Sequence, residues 1–170
     1  MFIRIPLALL LCAAVTAGCT GQDPEVFAAV DVSPSPWPAG EPVLEIQTST
    51  STTFYDLAEL EAAFPLHDGT VFEPFEERHL AFTGVLLRDV LAHANPGGAS
   101  EVELIALDDY HVIFALEDVQ IEDALLATRQ AGALIPIDEG GPIRVVFTAG
   151  SELGANPDMW IWNVASMELR

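Results

Sequence analysis

The sequence predicts an α+β domain built on a mixed β-sheet with a few short helices, and three observations predict it. Stretches with strand-like patterning outnumber those with helical spacing. The helical stretches are short and fall between strands without a regular strand–helix–strand alternation, which argues against a doubly wound fold. The chain has 170 residues, 51% of them hydrophobic, a length that favours one domain with enough apolar material for a core.

Taken in order, Val43 to Thr48 alternates apolar and polar residues and reads as a first strand. Asp56 is a ready N-cap for a short helix, since Leu57, Leu60, Ala63 and Phe64 recur at helical spacing and Pro65 closes it. Residues 70–75 and 79–83 read as strands. Gly84 is expected to break the chain before an amphipathic helix from Val85 to Ala94, ended by Asn95-Pro96-Gly97-Gly98. Glu101 to Leu107 and Tyr110 to Ala115 predict a hairpin turned by Asp108-Asp109. Asp118 to Thr128 predicts another short helix or strand, Pro142 to Thr148 a strand, and Trp160 to Leu169 the last strand. On that last strand Trp160 and Trp162, two residues apart, would share one face.

The segment ahead of the domain reads as an address. Arg4 is followed by an apolar run from Ile5 to Ala17 and then by Gly18 and Cys19, the pattern of a secretory signal peptide over residues 1–18. The run is too short to span a bilayer, which takes about 20 apolar residues. Val15-Thr16-Ala17-Gly18-Cys19 resembles a bacterial lipobox, in which the cysteine is lipidated and becomes the mature N-terminus. Cys12 would leave with the signal, so Cys19 has no partner for an intramolecular disulfide. The expected protein is therefore an exported lipoprotein, anchored to a membrane through Cys19 and facing the periplasm or cell exterior. Residues 19–42 carry Asp23-Pro24, Ser33-Pro34-Ser35-Pro36-Trp37-Pro38 and Gly40-Glu41-Pro42. Proline at this density opposes helices and central strands, so 19–42 is expected to be a tether and 43–170 the domain.

Charge excludes whole classes of function. The chain has 26 acidic residues against 6 basic ones, a formal net charge of −20, and every basic residue is an arginine. Such a surface repels nucleic acid and anionic headgroups. Without lysine there is no Schiff base and no Walker phosphate loop.

The sequence offers no catalytic dyad or triad. His67, His79, His93 and His111 form no metal-ligand spacing. His93 at the end of a helix is explained by the helix dipole. Ser151, in Gly150-Ser151-Glu152-Leu153-Gly154, does not stand in a nucleophile elbow. Asp108-Asp109 reads as a hairpin turn rather than a carboxylate pair. More unusual is Gly140-Gly141-Pro142-Ile143-Arg144, where glycines would let backbone approach a ligand and Arg144 would offer a planar donor fork. Trp160 and Trp162 are open to two readings, as core plugs or as a ligand-facing pair.

From about Val43 to Arg170 the order of motifs resembles the oxidoreductase molybdopterin-binding domain of the sulfite oxidase family. The residues that carry the resemblance are Phe82-Thr83-Gly84-Val85-Leu86-Leu87-Arg88-Asp89-Val90-Leu91 and Ala106-Leu107-Asp108-Asp109-Tyr110. Leu125-Leu126-Ala127-Thr128-Arg129, Gly140 to Phe147 and Trp160-Ile161-Trp162 continue it. Catalytic members hold molybdenum through a cysteine thiolate before the Phe-Thr-Gly-like turn. Here the corresponding stretch, Val71-Phe72-Glu73-Pro74-Phe75, has none, and no cysteine follows Cys19. The resemblance therefore implies no molybdenum and no catalysis. It is greatest to small exported single-domain relatives, some of which bind a free pterin and report it to a membrane-bound signalling enzyme, which implies a pterin sensor or carrier. By that resemblance, and by the chemistry of a flat heterocycle, the expected ligand-binding residues are Arg144, Gly140, Gly141, Trp160, Trp162, Arg129, Tyr110 and Phe75. Arg144 in particular is expected to donate to the pterin edge. A ligand-free protein–protein module and a molybdenum-cofactor oxidoreductase remain as alternatives.

Overall fold

Short-range sequence signals produce most of the elements in the computed structural model, which describes residues 27–30, 40–121 and 124–170. The clearest is the helix α1, Leu57–Ala63. Asp56 caps it in a reciprocal box: the Asp56 carboxylate accepts from the Glu59 N–H at 2.7 Å, and the Glu59 carboxylate accepts from the Asp56 N–H at 2.9 Å. These backbone donors, that of Glu59 foremost, hold the Asp56 carboxyl below its ordinary value. Upstream lie the strands β1 (Ala28–Val30), β2 (Leu44–Gln47) and β3 (Thr52–Tyr55).

After α1 come β4 (Leu66–Glu73), β5 (Arg78–Leu86) and the helix α2 (Leu87–Ala94), which Asn95 closes in the left-handed conformation. The predicted hairpin forms as β6 (Glu101–Ala106) and β7 (His111–Ala115), with Asp109 at φ 66° in its turn. The stretch left open between helix and strand contains both, α3 (Leu116–Ile121) and β8 (Ala124–Gln130). Strands β9 (Ala133–Leu134), β10 (Arg144–Phe147) and β11 (Val164–Leu169) complete the described chain.

The strands make two sheets. The first has the order β1-β4-β5-β8-β10, with β9 added on β8, and is antiparallel throughout. The second has the order β3-β2-β11-β6-β7 and is mixed, because β2 and β11 run parallel. The α+β class with short helices is therefore the one the sequence predicts. One continuous cluster of buried apolar side chains joins the sheets, with Phe82, Leu126 and Val145 from the first and Leu44, Leu104 and Met167 from the second. The Phe114 and Phe147 rings meet across them at 6.2 Å. Each such aliphatic side chain stabilises the fold by roughly 1.5–3 kcal/mol.

Three expectations need correction. The folded part does not start at Val43, since Ala28–Val30 pairs with Leu66–Asp68 and Phe27 is buried. The strand sits at the edge of its sheet, where neighbouring prolines do no harm. The remainder of the expected tether, with the signal peptide and Cys19, lies outside the described residues. Gly84 does not break the chain. It lies inside β5, where the pairing with β8 shifts register between Thr83 and Gly84 and Thr128 is left unopposed. Finally, Trp160 and Trp162 precede the last strand rather than belonging to it. A 3₁₀ turn at Pro157–Met159 and the left-handed Asn163 (φ 52°) interrupt the extended backbone on either side of them.

Candidate functional site

Three connections converge at one end of the sheets. The β4–β5 turn brings Phe75, the β6–β7 turn brings Asp108 and Tyr110, and the segment between β10 and β11 brings Pro157, Asp158, Trp160, Trp162 and Asn163. Together they line an open cavity of about 340 Å³, within the range of small-molecule sites. Phe75 and Tyr110 are half exposed at its rim, and Trp160 is buried.

The aromatic walls are held from behind. The Trp160 indole N–H donates to the Gly154 carbonyl at 3.0 Å, and its ring meets Phe147 edge-on at 5.6 Å. Trp162 meets Phe75 edge-on at 5.6 Å and lies over the Arg144 guanidinium, whose central carbon is 4.3 Å from the ring centre. The Tyr110 hydroxyl donates to the Asp158 carbonyl at 2.7 Å. Asn163 ties the floor together: its side-chain amide donates to the carbonyls of Ile137 and Gly141, its N–H to Gly140, and its own carbonyl accepts from the Leu107 N–H.

Of the eight residues expected to bind ligand, Phe75, Tyr110, Trp160 and Trp162 line the cavity; the other four support it or lie elsewhere. Arg144 is fully buried on β10, and its Nη2 donates to Glu73 Oε1 at 2.7 Å. Burial pulls its guanidinium below its ordinary value, and the Glu73 charge opposes that shift. Arg144 thus pairs with Glu73 and props Trp162 from beneath, and it is not among the described residues that line the cavity. The second oxygen of Glu73 accepts from the N–H groups of Phe75 and Glu76 at 2.8 and 2.6 Å, so the one ion pair supports both Phe75 and Trp162. Gly140 sits directly against Trp162, where a Cβ would lie 3.0 Å from the ring, and its φ of 88° is itself one that glycine favours. A Cβ on Gly141 would strike the Ile135 carbonyl instead. Arg129 is spent on Glu61, with Nε and Nη2 donating to its two oxygens at 2.9 and 2.7 Å, which clamps α1 to β8.

Sequence reasoning missed Pro157, Asp158 and Asn163 and took Asp108 only as a turn residue. The Asn156-Pro157-Asp158 turn leading into a tryptophan pair was the available signal. Among the described residues, the cavity lining contains two carboxylates and no basic side chain.

A family model for the oxidoreductase molybdopterin-binding domain matches residues 58–151, more than half of the chain. The chain belongs to that family. No curated protein matches it. The match takes in α1 through β10, and hence Phe75, Glu73, Tyr110, Arg144 and both glycines, and ends before the tryptophan pair. Within this molybdopterin-binding domain the residues present do not fit thiolate-ligated molybdenum. The Val71–Phe75 stretch offers buried Glu73, which is already bonded to Arg144 and two backbone amides, and no cysteine follows Cys19. Nor does the cavity offer a cation to the phosphate that molybdopterin carries.

Proposed function

We propose that this domain binds a pterin without catalysing a reaction on it, and serves as a sensor or carrier. The observation that carries the reading is the cavity walled by Phe75, Tyr110, Trp160 and Trp162, in a family that recognises a pterin. A flat heterocycle gains from aromatic faces and edges, while its polar rim needs a few fixed partners. The missing thiolate removes the usual basis for redox chemistry at molybdenum. The signal-like N-terminus and Cys19 add the second half of the proposal: an exported lipoprotein that presents the domain at a membrane, where a signalling protein can read its occupancy.

Titration of the purified protein with reduced and oxidised pterins tests the first half. Saturable quenching of tryptophan emission is the expected result, much reduced in Trp162→Phe, with Phe75→Ala binding more weakly. Quenching that never saturates, or that survives both substitutions unchanged, removes the cavity as the site. For the second half, Cys19→Ser should shift the protein from the membrane to the soluble fraction or leave the precursor unprocessed. Normal processing with unaltered membrane retention would refute the anchor, since stable attachment by lipid needs the acyl chains that the cysteine would carry.

A further inference from the structure

The charge of the cavity selects among heterocycles. Of its described lining residues, Asp108 and Asp158 are acidic and none is basic. Asp108 is partly committed, because its Oδ1 accepts from the Tyr110 N–H at 3.2 Å in the hairpin turn. Asp158 is different. Its backbone is fixed at both ends, the N–H donating to Asn156 Oδ1 at 3.1 Å and the carbonyl accepting from Tyr110, while no described residue donates to its carboxylate. An unpaired, negatively charged acceptor beside flat aromatic walls describes a complementary ligand.

We infer that Asp158 is the specificity-determining residue of the cavity, and that the ligand is an unphosphorylated heterocycle carrying adjacent N–H donors on one edge. The 2-amino-4-oxo pyrimidine edge has that chemistry: the ring N3–H and the exocyclic 2-amino group present two parallel donors to one carboxylate. A phosphate ester is disfavoured by the same charges, having two carboxylates near it and no arginine among the described lining residues. This inference rests on reading the cavity as a heterocycle site.

Three probes separate the inference from that reading: pterin, lumazine, which has a 2-oxo group in place of the 2-amino group, and a pterin phosphorylated on a 6-hydroxymethyl substituent. Titration calorimetry on the wild-type protein and on Asp158→Asn is the measurement. The side chain of Asp158 is exposed, so the variant should fold, and equal melting temperatures check this. Wild type should prefer pterin to lumazine and to the phosphate ester, each roughly 10- to 100-fold. Asp158→Asn should lose most of the preference over lumazine, chiefly through weaker pterin binding, and should bind the phosphate ester better than wild type does. Equal binding of pterin and lumazine by wild type, or an undiminished preference in Asp158→Asn, overturns the role of Asp158 and leaves the heterocycle site standing. Binding of none of the three removes the heterocycle site itself.

Discussion

Glu73→Gln should lower the stability of the fold by about 3–5 kcal/mol, measured by denaturant unfolding at constant pH. Glu73 is fully buried and accepts three hydrogen bonds, from Arg144, Phe75 and Glu76. A glutamine keeps one acceptor oxygen and turns the other into a donor facing donors. It also leaves the Arg144 guanidinium, whose Nε already lacks a partner, buried without a counter-charge. That loss is a large fraction of the ~5–15 kcal/mol by which domains are usually stable. Replacing both members with apolar residues, as in Glu73→Leu with Arg144→Met, should be milder than Glu73→Gln alone, because no charge is then stranded. A loss below about 1 kcal/mol in Glu73→Gln would mean that water reaches the pair and that it is not the prop beneath the aromatic walls.

Gly84→Ala should be comparably severe, at or above the ~3 kcal/mol typical of strong overpacking. A Cβ there would lie 2.0 Å from the Leu126 carbonyl oxygen and 2.7 Å from the Ala127 Cα, both backbone atoms that no side-chain rotation can move. Strands β5 and β8 would have to separate at the register shift between them. The same shift leaves Thr128 unopposed, and its hydroxyl donates to Glu61 Oε1 at 2.7 Å, beside the clamp with Arg129. The substitution should therefore loosen α1 as well as the sheet, visible as faster amide exchange in residues 57–63. An alanine variant melting within a few degrees of wild type would show that the strands separate easily.

What the sequence disclosed and what it hid divide along contact range. The cap of α1, the β6–β7 hairpin and the end of α2 are set by residues within a few positions of each other, and they fall where residue chemistry puts them. The aromatic residues that line the cavity were named through the family resemblance and the chemistry of a flat heterocycle, not through any local signal. The burial of Arg144 was hidden because its partner, Glu73, lies 71 positions earlier. Nothing local distinguishes an arginine that will be buried on a distant carboxylate from one that will face a ligand. Trp160 and Trp162 alternate like strand residues for a different reason: one ring packs on Phe147 and the other on Arg144. Asp158 was invisible because its importance comes from what surrounds it.

Asn163 has a thermodynamic consequence. One residue in the left-handed conformation bonds the turn before β10, the backbone at Gly140 and Gly141, and the residue that follows β6. Three loops that could each fluctuate alone are thereby fastened at a single point, behind the tryptophan walls. A molecule entering the cavity meets a preorganised surface, so little of its binding free energy is consumed in ordering the chain. Affinity can then be high for a small ligand even though the opening is wide, and the adaptation that remains is confined to the half-exposed rings of Phe75 and Tyr110 at the rim.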